Sequence, residues 1–149
     1  LDGLAGGVTL IVAAFFMIVS WAAGSMISPV CGAIVGALLA FLLFNCYPAK
    51  VFMGDTGSMF LGGMVTALAF VMGRPELVLF FGIVFIWDAM TVVIQRVYFK
   101  ATHGKRIFRM TPIHHAFEMR GWKEARIDAF FSLIAVMGVA LGLLFIYLA

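Results

Sequence analysis

Charge is scarce in this chain of 149 residues: Asp, Glu, Lys and Arg together make up 11%, against 64% hydrophobic residues. Soluble domains carry about 25% charged and about 45–50% apolar residues, so water is not the main solvent and a soluble enzyme is excluded. Disorder is excluded too, because so apolar a chain cannot stay solvated. Cysteine is nearly absent, and with only Cys31 and Cys46 a disulfide scaffold is disfavoured. Both lie in apolar runs, where a small buried thiol is the ordinary reading. No signal-peptide pattern, heptad array or internal repeat is present. The chain opens Leu1-Asp2-Gly3 without an initiator Met, which predicts an upstream part.

What is abundant points to a bilayer: 16 Phe, 10 Met and a mean hydropathy of +1.14. The net charge of +3 does not indicate nucleic acid, since no basic face with interleaved aromatics occurs. Five apolar stretches of membrane-crossing character are separated by polar or Gly/Pro punctuation: residues 4–23, 27–46, 58–72, 77–99 and 127–148. The expectation is an all-α integral membrane protein, a polytopic bundle of about five transmembrane helices in this chain. The third stretch is the shortest and starts at a Gly-Asp-Thr-Gly-Ser turn, where Ser58 or Thr56 would cap it. Seven of the ten basic residues lie between Lys100 and Arg126 (Lys100, Lys105, Arg106, Arg109, Arg120, Lys123, Arg126), and Lys50 lies in another loop. The positive-inside bias makes the loops near 47–57 and 100–126 cytoplasmic and puts the turns at 24–25 and 73–76 outside. Gly32/Gly36 and Gly138/Gly142 have GxxxG spacing, read as close packing within the chain or as a homodimer contact.

The strongest chemical signal is Gly54-Asp55-Thr56-Gly57-Ser58. Glycine permits close backbone approach, a helix N-terminus offers free N–H groups, and Asp55 offers a hard oxygen suited to Mg2+. These are parts of a metal-diphosphate site, although an aspartate there is also a common helix cap. The second signal is His114-His115 in the basic loop. Adjacent histidines point in different directions on most backbones, so they suit separate contacts with phosphate oxygens or a proton better than one zinc. Lys105, Arg106 and Arg109 favour an anionic ligand, with positive-inside anchoring as the alternative. Leu1-Asp2-Gly3-Leu4-Ala5-Gly6-Gly7 is a weaker third signal. Asp88, an ionisable group inside the fourth stretch, reads as a residue bonded to Thr91 or another helix, or as part of a proton or ion path. Gln95 and Arg96 approach the cytoplasmic end of that stretch.

Residues 51–63, VFMGDTGSMFLGG, and 105–122, KRIFRMTPIHHAFEMRGW, resemble the bacterial phospho-MurNAc-pentapeptide translocase (MraY) family, of the polyprenyl-phosphate N-acetylhexosamine-1-phosphate transferase superfamily. LDGLAGG resembles the end of that family's NxxNxxDGLDGLAGG motif, and Tyr98-Phe99-Lys100 also fits its pattern. The likeness covers essentially all of residues 1–149 and identifies them with the C-terminal half of one polytopic transferase domain, about ten transmembrane helices in full. It implies transfer of phospho-MurNAc-pentapeptide from UDP-MurNAc-pentapeptide to undecaprenyl phosphate with Mg2+, giving lipid I and UMP. The setting implied is the bacterial plasma membrane, with the site on its cytoplasmic face. By the same resemblance Asp55 is a metal ligand and catalytic residue, His114 and His115 are catalytic, and Phe52 packs on uracil. Leu1, Asp2 and Arg106 match positions near the nucleotide and sugar, with Lys105 beside them. The sequence departs from the family at Ala116, where a third histidine stands, and lacks the family's adjacent Asp pair.

Two routes stay open, direct attack by the lipid phosphate and a phospho-enzyme. A sibling enzyme transferring GlcNAc-1-phosphate from UDP-GlcNAc is the near alternative. A transporter or channel subunit is the distant one, and it is disfavoured because the other stretches lack recurring polar residues.

Overall fold

The computed structural model describes residues 3–148, and the expected contacts of Leu1 and Asp2 fall outside them. The described residues form α1 (Leu4–Ala22), α2 (Ser28–Asn45), α3 (Gly54–Val71), α4 (Leu77–Phe81), α5 (Ile83–Ala101), α6 (Ile113–Glu118) and α7 (Glu124–Leu148), with no strand among them. Four helices, α1, α2, α3 and α7, are long and apolar enough to cross a membrane. The chain is an all-α, multi-pass membrane protein.

The fourth expected crossing, 77–99, is not one helix. It breaks at Gly82 into the short α4 and the longer α5. Glycine weakens a helix by about 1 kcal/mol relative to alanine, and here it also admits a close contact: a Cβ at Gly82 would lie 2.6 Å from the Val78 carbonyl oxygen. α5 carries Asp88, Gln95, Arg96 and Lys100, which lower its apolar character. Hydropathy averaged along 77–99 conceals both the break and the polar half.

α1 is apolar all round and takes the centre, as such a helix must. One end packs Val12, Phe15 and Phe16 against Cys31 of α2, Val65, Leu68 and Ala69 of α3, and Leu77 and Phe81 of α4. Phe81 meets Phe15 and Phe16 edge-on at 4.8 and 5.0 Å between ring centroids. At the other end Leu4 and Val8 pack with Val84 of α5 and Ile127, Phe131 and Ala135 of α7. Inside lipid the hydrophobic effect does not favour such contacts over lipid tails, so close van der Waals fit has to hold the helices together. Gly138 and Gly142 provide it, since their Cβ atoms would lie 2.3 Å from the Phe80 carbonyl oxygen and 2.5 Å from the Phe81 ring. That GxxxG pair works within the chain, whereas at Gly36 of the other pair a Cβ would meet nothing within 4 Å. Leu39 and Leu43 of α2 and Leu133, Leu141 and Leu144 of α7 are exposed, as lipid-facing positions are. Hydroxyls within the helices bond their own backbone: Thr9 to Ala5 at 2.7 Å, Ser20 to Met17 at 3.1 Å and Thr91 to Asp88 at 2.8 Å. Cys31 is buried as expected, but Cys46, at the end of α2, is exposed.

Within the basic loop lies α6, which starts after Pro112 and packs on α7 through aromatic rings. Phe117 stands 5.0 Å from Trp122, 5.7 Å from Phe130 and 6.1 Å from Phe131, and the Arg126 guanidinium lies 4.3 Å above the Trp122 ring. α6 is too short to hold a helical shape alone. This packing fixes where its two histidines go.

Candidate active site

α6 delivers His114 to α5. Its Nδ1 is 2.6 Å from Oδ2 of Asp88, and both side chains are largely buried, at 13% and 20% exposure. The other oxygen, Asp88 Oδ1, is buried without a hydrogen-bond partner among the described residues. A buried carboxylate oxygen without a partner is costly, and in a native protein it marks a place where something else binds or where function outweighs stability. Asp88 and His114 line a cavity of about 360 Å3. Leu4, Ala5 and Thr9 of α1, Ser58, Leu61 and Gly62 of α3, and Val84 and Phe85 of α5 complete its wall.

Gly54 opens α3 at φ +66°, a left-handed turn that favours glycine, and the helix starts at once with Asp55 in its first turn. The expected caps do not form. Met53 occupies the capping position with no side-chain cap, and Ser58 Oγ instead donates to the Asp55 carbonyl oxygen at 3.0 Å. Asp55 thus stands one turn before Ser58, which lines the cavity, and it is exposed. Among the described residues its carboxylate makes no hydrogen bond or ion pair. Phe52, 76% exposed, is presented just ahead of it.

The neighbouring histidines diverge, as their adjacency predicts. While His114 reaches α5, His115 Nδ1 bonds Glu118 Oε2 at 2.5 Å within α6, the two imidazoles lying 4.3 Å apart. Ala116 is buried behind them. The basic residues sit elsewhere. Arg106 stacks 6.0 Å over Phe99 and opens, with Gln95, Arg96 and Arg109, onto a separate cavity of about 430 Å3. Lys105 is exposed. Gln95 ties that loop to α5, its Oε1 accepting the N–H groups of Ile107 at 3.1 Å and Phe108 at 3.0 Å.

So the structure brings His114 to α5 and the cavity, keeps His115 bonded within α6 beside it, and leaves Lys105 and Arg106 outside that cavity. Of the two partners expected for Asp88, the residue on another helix is the one found, His114 of α6, whereas the Thr91 hydroxyl takes only the Asp88 backbone carbonyl. An ionisable group in an otherwise apolar run was the signal for it. Asn45, which bonds both Gly3 and Val51, had no signal in the sequence. No three His, Cys, Asp or Glu side chains among the described residues cluster as a complete metal cage. Mg2+ does not require one, because it is commonly held by one or two carboxylates together with waters and substrate phosphates. An exposed carboxylate with no protein partner, as at Asp55, fits that mode.

Residues 1–73 match the family described as glycosyl transferase family 4. The phospho-N-acetylmuramoyl-pentapeptide-transferase of Clostridium novyi is 48% identical over 145 residues, covering 97% of this chain and 44% of that protein. Its counterpart in Clostridium acetobutylicum is 49% identical over 138 residues, 92% of this chain and 43% of that protein. The one in Listeria welshimeri is 46% identical over 143 residues, 95% of this chain and 44% of that protein. The chain therefore spans less than half the length of the curated relatives it matches.

Proposed function

Since the chain belongs to the phospho-N-acetylmuramoyl-pentapeptide-transferase family, we propose that it forms part of a transferase moving phospho-MurNAc-pentapeptide from UDP-MurNAc-pentapeptide to undecaprenyl phosphate. A phosphate oxygen of the lipid forms a bond to the phosphorus attached to the sugar. The bond from that phosphorus to the oxygen bridging the two phosphates breaks, UMP departs and lipid I remains. The observation that carries this reading is the cavity wall built by Asp88 and His114 on one side and α3, one turn beyond Asp55, on the other. Such a site suits a reaction between anions, in which the main task is to align and neutralise charge.

In this reading Asp55 ligates Mg2+, which when bound neutralises charge on the diphosphate. Asp88 fixes the tautomer and orientation of His114. With Nδ1–H donating to Asp88, Nε2 is free to take up a proton, and once it carries one it donates to a phosphate oxygen. His115, held by Glu118, is a second nitrogen ligand for phosphate. The open N–H groups at the start of α3 attract anions, because no side chain caps them. Phe52 offers an exposed ring for a nucleobase. Arg106, in the separate arginine-lined cavity, and the exposed Lys105 next to it in the loop serve the substrate at longer range. The apolar helix surfaces hold the polyprenyl tail, with the site at the cytoplasmic face of the bacterial plasma membrane.

The relatives' names favour the peptide-bearing substrate over UDP-GlcNAc. The test is transfer by the full-length protein in lipid nanodiscs with either UDP-sugar and undecaprenyl phosphate, with and without a chelator. Lipid I from UDP-MurNAc-pentapeptide, lost on chelation and restored by Mg2+, is expected. Transfer from UDP-GlcNAc alone overturns the substrate assignment, and transfer undiminished by chelation overturns the metal.

A further inference from the structure

Asn45, the last residue of α2, is 7% exposed and uses both ends of its side chain. Its Oδ1 accepts the Gly3 N–H at 3.0 Å, and its Nδ2 donates to the Val51 carbonyl at 2.8 Å. These partners fix the amide's orientation, since a backbone N–H only donates and a carbonyl only accepts, so a flipped amide would oppose both. The bond to Gly3 spans 42 positions of sequence and links the segment entering α1 to the segment entering α3.

Each arm is held tightly at its far end. Gly3 adopts φ +83°, and a Cβ there would lie 3.2 Å from Asp128 Oδ2 and 3.8 Å from the Cys46 Cα, so nothing larger than glycine fits without movement. On the other arm the N–H groups of Lys50 and Val51 return to the Phe44 carbonyl at 2.7 and 3.3 Å, folding residues 46–53 back onto the end of α2. Those backbone bonds fix the loop only to its own helix. The Asn45 side chain reaches from there to Gly3. After Gly3 comes the part of α1 whose Leu4 and Ala5 line the cavity, and after Val51 come Phe52 and Asp55.

We infer that Asn45 is a positioning residue. One buried carboxamide sets the spacing between the two entry loops, and so between the α1 wall of the cavity and the α3 turn carrying Asp55. As a role in turnover, this rests on the transferase reading above.

Aspartate and alanine dissect the two arms. Asn45→Asp keeps an acceptor for Gly3 but presents a carboxylate to the Val51 carbonyl, freeing only the α3 side. Asn45→Ala frees both. In the full-length protein in nanodiscs, Asn45→Asp is expected to lower kcat about tenfold or more while KM for UDP-MurNAc-pentapeptide stays within about threefold, since misplacement by about 1 Å can cost about 100-fold. Asn45→Ala should lower kcat similarly and also raise that KM. Amide hydrogen exchange gives a readout independent of activity. In wild type the Gly3 amide is protected, and in Asn45→Asp the segment 46–53 exchanges about tenfold faster while Gly3 stays protected.

Asn45→Asp with both kinetic constants within about twofold of wild type, or with unchanged exchange over 46–53, overturns the inference. If the alanine variant does not fold, the aspartate variant and the wild-type exchange still decide, because a Gly3 amide exchanging at the free-peptide rate in wild type refutes the clamp by itself. A wild-type protein that makes no lipid I while keeping the exchange pattern refutes the transferase reading and leaves the clamp standing.

Discussion

Removing the His114 imidazole should expose how far the site depends on its pairing with Asp88. The contact is 2.6 Å long, just under the about 2.7–2.9 Å of charge-assisted N–H···O hydrogen bonds, and its partners are 13% and 20% exposed. His114→Ala leaves both Asp88 oxygens without a partner among the described residues, because Oδ1 has none there to begin with. Breaking a fully buried pair from one side costs about 3–5 kcal/mol. Here the adjoining cavity of about 360 Å3 admits water, which satisfies part of the freed carboxylate, so about 1.5–3 kcal/mol is the expected loss. Asp88→Asn keeps a polar group of the same shape and should cost about 1 kcal/mol. If each residue acts mainly through the other, the double variant loses little more than His114→Ala alone, a coupling that approaches the full cost of Asp88→Asn, about 1 kcal/mol. Separately from this folding cost, kcat/KM for lipid I formation is expected to fall about tenfold to 100-fold in His114→Ala, less in Asp88→Asn, and in the double variant about as in His114→Ala. UMP release by the full-length protein in nanodiscs measures all three against wild type. Free energies that add to within about 0.3 kcal/mol would refute the pair as a functional unit.

Asp55→Asn should reduce transfer well over tenfold and leave the melting temperature unchanged, because the carboxylate is exposed and has no partner among the described residues; one tenth of wild-type turnover or more would remove Asp55 from the chemistry. His115→Ala should lower turnover by less than His114→Ala, since its bond to Glu118 stays within α6, and normal turnover in both variants would reduce the loop to a membrane anchor. Gly138→Ala puts a methyl group 2.3 Å from the Phe80 carbonyl oxygen and should cost about 1–3 kcal/mol by pushing α4 from α7. An unchanged thermal melt in detergent would contradict that contact.

The helices could be read almost entirely from hydropathy, with shifts only at their ends. α7 begins at Glu124 instead of 127, and α3 at Gly54 instead of 58, because turn chemistry and packing set ends that composition leaves soft. The single crossing expected over 77–99 was the exception, since averaging hides a glycine that a carbonyl approaches closely. The motif around Asp55 and the paired histidines stood out because residues close in sequence carry the signal together. Asp88 was visible as an anomaly bonded to Thr91 or to another helix, with His114 not named, and Asn45 was invisible, because a lone asparagine ending an apolar helix looks the same whether or not it bonds anything.

By itself the sequence determined the solvent, the helical class, and which residue types could meet a phosphate. Transfer energies add residue by residue, and a helix repeats every 3.6 positions, so both are written locally. Only the tertiary structure decided that His114 finds Asp88, 26 positions away, and that Asn45 ties Gly3 to Val51. Those meetings depend on α1 taking the centre and on rings and glycines letting α6 and α4 settle against α7, a fit of shapes that no single segment encodes.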